Sequence, residues 1–109
     1  MADLLGMFEQ ALLLAIVHLG DEAYGRAVLN RVEESLGRTA SAGAVYSTLE
    51  RLESAGMVRS RLEEGTAVRT GRARRYYKIA PAGQQALRDT QAALTGMWKG
   101  FRIPKKVQP

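Results

Sequence analysis

Arginine is the residue type with the clearest chemical use in this sequence, and it is concentrated in one segment. Residues 57–79 carry seven basic and two acidic side chains. A guanidinium presents a planar fork of N–H donors that can bind a phosphate through two hydrogen bonds. We therefore predict that the later arginines of this segment contact the backbone or minor groove of double-stranded DNA: Arg69, Arg72, Arg74 and Arg75.

Acidic and basic side chains are also separated along the rest of the chain. Residues 1–56 carry four basic and eight acidic side chains, whereas residues 80–109 carry five basic and one acidic. The net charge of +5 over 109 residues therefore arises entirely after residue 56. Because a solvated surface usually mixes its signs, this separation favours a face that binds a polyanion.

The sequence shows no residue pattern that indicates enzymatic chemistry. The chain has no cysteine and a single histidine, His18, so the usual zinc ligand sets are excluded. The serines lack a histidine partner for nucleophilic catalysis, and no glycine-rich phosphate loop follows a strand. We therefore expect no enzymatic activity, no cofactor and no metal, and we interpret His18 as a core or interface residue.

Hydrophobic spacing predicts the elements that position these arginines. Apolar residues recur at helical spacing and then alternate with a period of two from Val58 onwards, which indicates a hairpin. Asp21 is expected to cap the second helix and Ser41 the third. The expected helices cover 5–19, 23–36, 41–55 and, from Pro81, the C-terminal segment; the hairpin pairs 58–63 with 74–79, with Leu62 and Tyr77 facing inward.

Three helices followed by a two-stranded hairpin is the order of a winged helix-turn-helix. In that fold the third helix enters the major groove of DNA and the hairpin, or wing, lies beside it. The exposed side of the predicted third helix is small and polar at its start, which allows a close approach to DNA. The candidate contacts on this helix are Ser41, Gly43, Tyr46, Ser47 and Arg51.

An apolar seam in the first and last helices predicts a homodimer, because the first helix is apolar nearly all round. Trp98 has two interpretations: it packs the dimer, or it borders a cavity for a flat aromatic or drug-like effector. We favour simple packing, since aromatic residues commonly anchor interfaces. The seam is predicted to contain Phe8, Leu12, Leu87, Leu94, Met97, Trp98 and Phe101.

Three segments make the chain resemble the PadR family of bacterial transcriptional regulators: "LLLAIVHLGDEAYGRAVLNRVEE", "ASAGAVYSTLERLESAGMVRSRLEEG" and "GRARRYYKIAPAG". The resemblance covers residues 5–80, and the single C-terminal helix is similar to the short subgroup. It implies that Tyr46, Ser47 and Thr48 contact operator DNA together with the wing arginines, and that the last helix dimerises. Ala80 departs from the pattern, since Thr or Ser often caps this last helix.

These observations predict a mainly α protein with a small hairpin (α+β), a winged helix-turn-helix with a C-terminal dimerisation helix. The expected divisions are residues 1–80 for the DNA-binding domain, 81–103 for the dimerisation helix and 104–109 for a flexible tail. We expect a cytoplasmic repressor that binds a pseudo-palindromic operator and responds to an effector. The alternatives are a protein-interaction module and a small-molecule binder with an incidental basic face. No membrane partner is expected, since the longest apolar run, Ala11–Val17, is too short to span a bilayer.

Overall fold

The computed structural model describes residues 4–64 and 73–105, and it has the predicted α+β architecture. The described residues form four α-helices and one antiparallel hairpin, and a short 3₁₀ turn, Gly20–Glu22, links the first two helices. The elements are α1 (Met7–Leu19), α2 (Gly25–Leu36), α3 (Ala42–Ser54), β1 (Val58–Glu63), β2 (Arg74–Ile79) and α4 (Pro81–Trp98).

The start of α3 and the end of α2 are set by local features of the chain. Ser41 caps α3, because its Oγ accepts a hydrogen bond from the Ala44 amide at 2.9 Å. Gly37 ends α2 in the left-handed conformation at φ 68°, which glycine adopts without strain. The expectation that Asp21 caps α2 is wrong: Asp21 lies in the 3₁₀ turn, and α2 begins after Tyr24 with no side-chain cap.

The core lies where α1, α2 and α3 meet the start of the hairpin. Its fully buried side chains include Leu12, Leu13, Val28, Val32, Val45, Leu49 and Val58. Leu12 is 0% exposed within one chain. Its predicted place in a dimer seam is therefore wrong, because the protein's own core already surrounds it. His18, the only histidine, is exposed at the end of α1.

The hairpin register pairs Val58 with Ile79 and Glu63 with Arg74. Tyr77 is buried as predicted, whereas Leu62 is 57% exposed because it lies beyond the helices that cover the base of the sheet. The segment before α2 adds a third, very short partner. Tyr24 forms a bridge with Tyr76, and the Tyr77 amide donates to the Ala23 carbonyl at 2.8 Å.

Helix α4 is fixed to the rest of the fold at two points. Gly83 lies so close to the turn before β1 that a Cβ atom there would come within 2.3 Å of the Met57 carbonyl oxygen. Further along, the Thr90 hydroxyl accepts a buried hydrogen bond from the Leu5 amide at 3.0 Å. The N-terminal segment and the last helix are therefore packed together.

The end of α4 differs from the predicted one. The helix ends at Trp98 and not at residue 103, because Lys99 leaves the helical conformation and Gly100 has φ 80°. Ala80 precedes the helix without a side-chain cap, as the sequence indicates, and Pro81 occupies the first turn. Within residues 4–64 and 73–105, no helix is long and apolar enough to cross a membrane.

Candidate nucleic-acid interface

The start of α3 offers a polar surface that a nucleic acid could approach. Ser41, Gly43 and Ser47 are exposed, and Tyr46 is 40% exposed. The first turn contains no acidic side chain, so the partial positive charge of the helix N-terminus is not neutralised locally. This end of the helix is therefore suited to a phosphate group.

Thr48 does not share this surface. It is only 4% exposed, and its Oγ1 receives a long hydrogen bond of 3.4 Å from Arg51. Successive helical residues are rotated by about 100°, so a run of three cannot keep all its side chains on one exposed face. The burial removes Thr48 from the set of direct contacts expected from the family resemblance.

Arg51 is exposed but already has a partner. Its Nη1 lies 3.0 Å from the Glu9 carboxylate of α1. The other oxygen of that carboxylate accepts a hydrogen bond from the Gly6 amide, at the start of α1. Arg51 therefore connects α3 to the N-terminus of α1, and a phosphate contact would have to compete with this pair.

The wing is connected to α3 through a short chain of hydrogen bonds. Arg75 Nη1 donates to Ser60 Oγ at 3.0 Å, and Ser60 Oγ donates to the Glu53 carboxylate at 2.7 Å. Arg75 thereby places a positive charge near an acidic residue in the second half of α3. Arg69 and Arg72, the other predicted wing contacts, lie outside the described residues.

Arg74 is held on the opposite face of the hairpin by aromatic rings. Its guanidinium carbon lies 4.0 Å from the centre of the Tyr24 ring. Tyr24 in turn meets Tyr76 edge to face at 5.7 Å, and Arg61 lies 4.9 Å from the centre of the Tyr76 ring. Cation–π contacts of this kind fix the face of a guanidinium and leave its N–H edge available for an anion.

A cleft of about 500 Å³ separates α3 from the wing. Burial raises the pKa of the Tyr77 hydroxyl at its base above the ordinary value, although nearby Arg75 acts in the opposite direction. Two carboxylates make the second half of α3 less suitable for phosphate than its first turn. The cleft is lined by Tyr46, Glu50, Glu53, Arg75 and Tyr77.

The predicted apolar seam is largely exposed at the end of α4. Met97, Trp98 and Phe101 are all more than half exposed, and the rings of Trp98 and Phe101 lie 5.9 Å apart. Phe8, Leu87 and Leu94 are half-buried. An open groove of about 420 Å³ lies between Leu94 and Trp98.

Sequence reasoning missed two features of these surfaces. Leu14 of α1 is 42% exposed and borders a groove against α4, so it offers the apolar surface that Leu12 cannot. Helical spacing places Tyr24 only in the apolar stripe of α2, although it contacts the wing. The sequence feature that could have indicated this contact is the position of Tyr24 next to Gly25, at the start of a helix. In residues 4–64 and 73–105, no cluster of three or more His, Cys, Asp or Glu is placed to bind a metal.

Comparison with solved structures finds the same fold in several proteins. The structure overlays with a TM-score of 0.69 on a PadR-like transcription factor from Bacteroides fragilis, at 25% identity over 84% of each chain. A protein assigned as a transcriptional regulator in Thermoplasma acidophilum gives 0.70 at 23% identity, over 86% of this chain and 84% of that one.

Bacillus subtilis PadR, solved in complex with operator DNA, gives a TM-score of 0.65 at 21% identity. The match covers 95% of this chain but only 54% of that protein. No curated protein sequence matches significantly.

The sequence also matches a family model directly. The matched residues, 13–89, extend from the middle of α1 through α3 and the hairpin to the first half of α4. They therefore include the elements that form the polar surface described above. The chain belongs to the PadR-like family of transcriptional regulators.

Proposed function

We propose that this protein is a sequence-specific regulator that binds double-stranded DNA as a homodimer, with α3 in the major groove and the wing on the adjacent backbone. The observation that carries the proposal is the polarity of α3. Its first turn is exposed, small and free of acidic side chains. Arg75 of the wing lines the same cleft as Tyr46 of α3. The operator-bound B. subtilis PadR, whose fold this chain shares, supports the same use of the fold.

The proposed contacts divide by role. Tyr46 and Ser47 lie on the exposed side of α3, where side chains can reach base edges, so they supply specificity, and Gly43 lets the backbone of α3 approach the DNA closely. Arg74 and Arg75 supply affinity through phosphate, together with Arg69 and Arg72 from the part of the wing outside the described residues. Ser41 orients the start of α3, and Arg51 contributes only where it exchanges its contact with Glu9 for one with DNA.

A two-fold dimer would present two copies of α3 about one helical turn of DNA apart, which predicts a pseudo-palindromic site. The exposed apolar surface around Trp98 supports dimerisation. We propose a repressor that acts in the cytoplasm, where its DNA target lies. An effector that changes the separation of the two α3 helices would release the DNA, and the groove beside Trp98 is the proposed place for it.

The test is selection of bound sequences from a random duplex library with the purified protein. The expected result is an inverted repeat, with binding that weakens steeply as salt increases. Replacing both Arg74 and Arg75 by alanine should weaken binding to all duplexes and lower the salt slope by about 0.9 for each phosphate that the variant no longer neutralises.

The matched control removes two exposed positive charges elsewhere, Arg88 and Arg102, and should leave the salt slope nearly unchanged. Equal binding to every duplex would contradict sequence recognition and indicate an architectural protein. Absence of duplex binding at low salt would favour the protein-interaction or small-molecule alternatives.

A further inference from the structure

The two residues at the start of α2, Tyr24 and Gly25, contact both parts of the proposed DNA surface. Tyr24 carries Arg74 of the wing on its ring at 4.0 Å. Gly25 lies against Tyr46 of α3 so closely that a Cβ atom at position 25 would come within 2.6 Å of the Tyr46 ring. One dipeptide therefore touches a proposed phosphate contact and a proposed base contact.

The backbone around this dipeptide is also fixed to the wing. The Tyr77 amide donates to the Ala23 carbonyl at 2.8 Å, and Tyr24 bridges to Tyr76. The Tyr24 and Tyr76 rings meet edge to face. Movement of the start of α2 would therefore move the second wing strand with it, and the aromatic contacts would carry Arg74 along.

We infer that Tyr24 and Gly25 are positioning residues for DNA binding: Tyr24 orients Arg74, and the missing side chain of Gly25 lets Tyr46 keep its place on α3. This inference rests on the proposed function and deepens it. Arg74 and Tyr46 are the residues proposed to touch DNA, whereas Tyr24 and Gly25 set the positions of these two side chains. Neither member of the pair needs to contact DNA for its replacement to weaken binding.

The first test is a double-mutant cycle between Tyr24 and Arg74, measured with a fluorescent duplex carrying the selected sequence. Tyr24→Leu should weaken binding about 3- to 10-fold, the range expected for removing a cation–π interaction. It should also lower the salt slope by about 0.9, the same change that is expected for Arg74→Ala. In the Arg74→Ala background the same replacement should change affinity by less than about twofold, since the group it orients is gone.

Tyr24→Phe provides the conservative control. It keeps the ring face that Arg74 contacts, so binding should stay within about twofold of the wild-type value. A loss as large as that of Tyr24→Leu would mean that the hydroxyl itself contacts DNA, and it would overturn the positioning role.

The second cycle pairs Gly25 with Tyr46. Gly25→Ala should weaken binding about 3- to 10-fold because the new methyl group displaces the Tyr46 ring, a modest steric effect on one proposed contact. In the Tyr46→Ala background, where no ring remains to be displaced, Gly25→Ala should have an effect below about twofold. Circular dichroism should show native helix content for every variant.

Different results would contradict the proposed function and the positioning role. Additive losses in both cycles, with normal binding by the wild-type protein, would overturn the positioning role alone. Wild-type protein that binds no duplex would overturn the proposed function and the positioning role with it. Ring-current shifts of the Arg74 side-chain protons, present in wild type and Tyr24→Phe but absent from Tyr24→Leu, would support the orienting contact, and their absence from the wild-type protein would overturn it.

Discussion

At the scale of single residues, Ser41 shows how one side chain can support a surface without defining its specificity. Its Oγ accepts the Ala44 amide and so satisfies one of the free donors at the start of α3. Ser41→Ala should lower the free energy of unfolding by about 1 kcal/mol, the usual cost of losing such a cap. Chemical denaturation of the purified variant would measure this change.

Ser47→Ala is the matched control for this prediction. Ser47 lies on the same helix and is exposed, and its hydroxyl donates a long 3.3 Å hydrogen bond to the Ala44 carbonyl. The change in unfolding free energy should therefore stay within about 0.5 kcal/mol. Equal stability of the Ser41→Ala and wild-type proteins would show that the cap contributes nothing in solution.

The sequence correctly predicts that Ser41 caps α3, because a cap depends mainly on the residue type at the start of the helix. It places Thr48 incorrectly because a contact depends on which side of the helix faces the core. Tyr24 is missed for a related reason. Its contacts with Arg74 and Tyr76 join segments about 50 residues apart in sequence. Hydrophobic spacing along one helix predicts which side of that helix is buried, but not which distant residues it contacts.

At the scale of elements, the position of α4 depends on a close approach at Gly83. A methyl group at this position would overlap the Met57 carbonyl oxygen, a backbone atom that cannot rotate away. Gly83→Ala should therefore destabilise the fold by about 1–3 kcal/mol, as overpacking commonly does. Thermal unfolding at fixed protein concentration would measure the loss.

Gly96→Ala is the control on the same helix. A Cβ atom at Gly96 would meet no heavy atom within 4 Å among the described residues. Alanine is the better helix former, so this variant should gain about 0.5–1 kcal/mol. If the two variants unfolded alike, the close packing at Gly83 would be refuted.

The sequence is sufficient to predict the order of elements, since hydrophobic period and glycine stops are local signals. The two strands of the hairpin follow from the period-two alternation. The 3₁₀ turn before α2 could not be predicted, because the preference of Asp21 for a cap is overridden by the bond between Ala23 and Tyr77. The exposure of Leu62 likewise depends on how far the helices extend along the sheet.

At the scale of the whole molecule, the exposed apolar end of α4 argues for a second copy of the chain. Trp98→Ala should weaken the proposed homodimer by roughly 30-fold or more, the effect expected for an interface anchor worth about 2 kcal/mol. Sedimentation equilibrium over a range of protein concentrations would measure the change.

Gln85→Ala on the first half of α4 serves as the control, because Gln85 is exposed and, among the residues that the structure describes, hydrogen-bonds within its own helix to Asp89 and Arg88. It should leave the dimer constant unchanged. A wild-type protein that is monomeric at every concentration would rule out the dimer and require another partner for this surface.

The hydrogen bond between Leu5 and Thr90 has a consequence for how the chain opens. It is buried and joins residues 85 positions apart, so solvent can reach the Leu5 amide only after α4 separates from the N-terminal segment. The Leu5 amide, although it precedes the first helix, should therefore exchange its hydrogen as slowly as the core does, and the two distant segments of the chain behave as one cooperative unit.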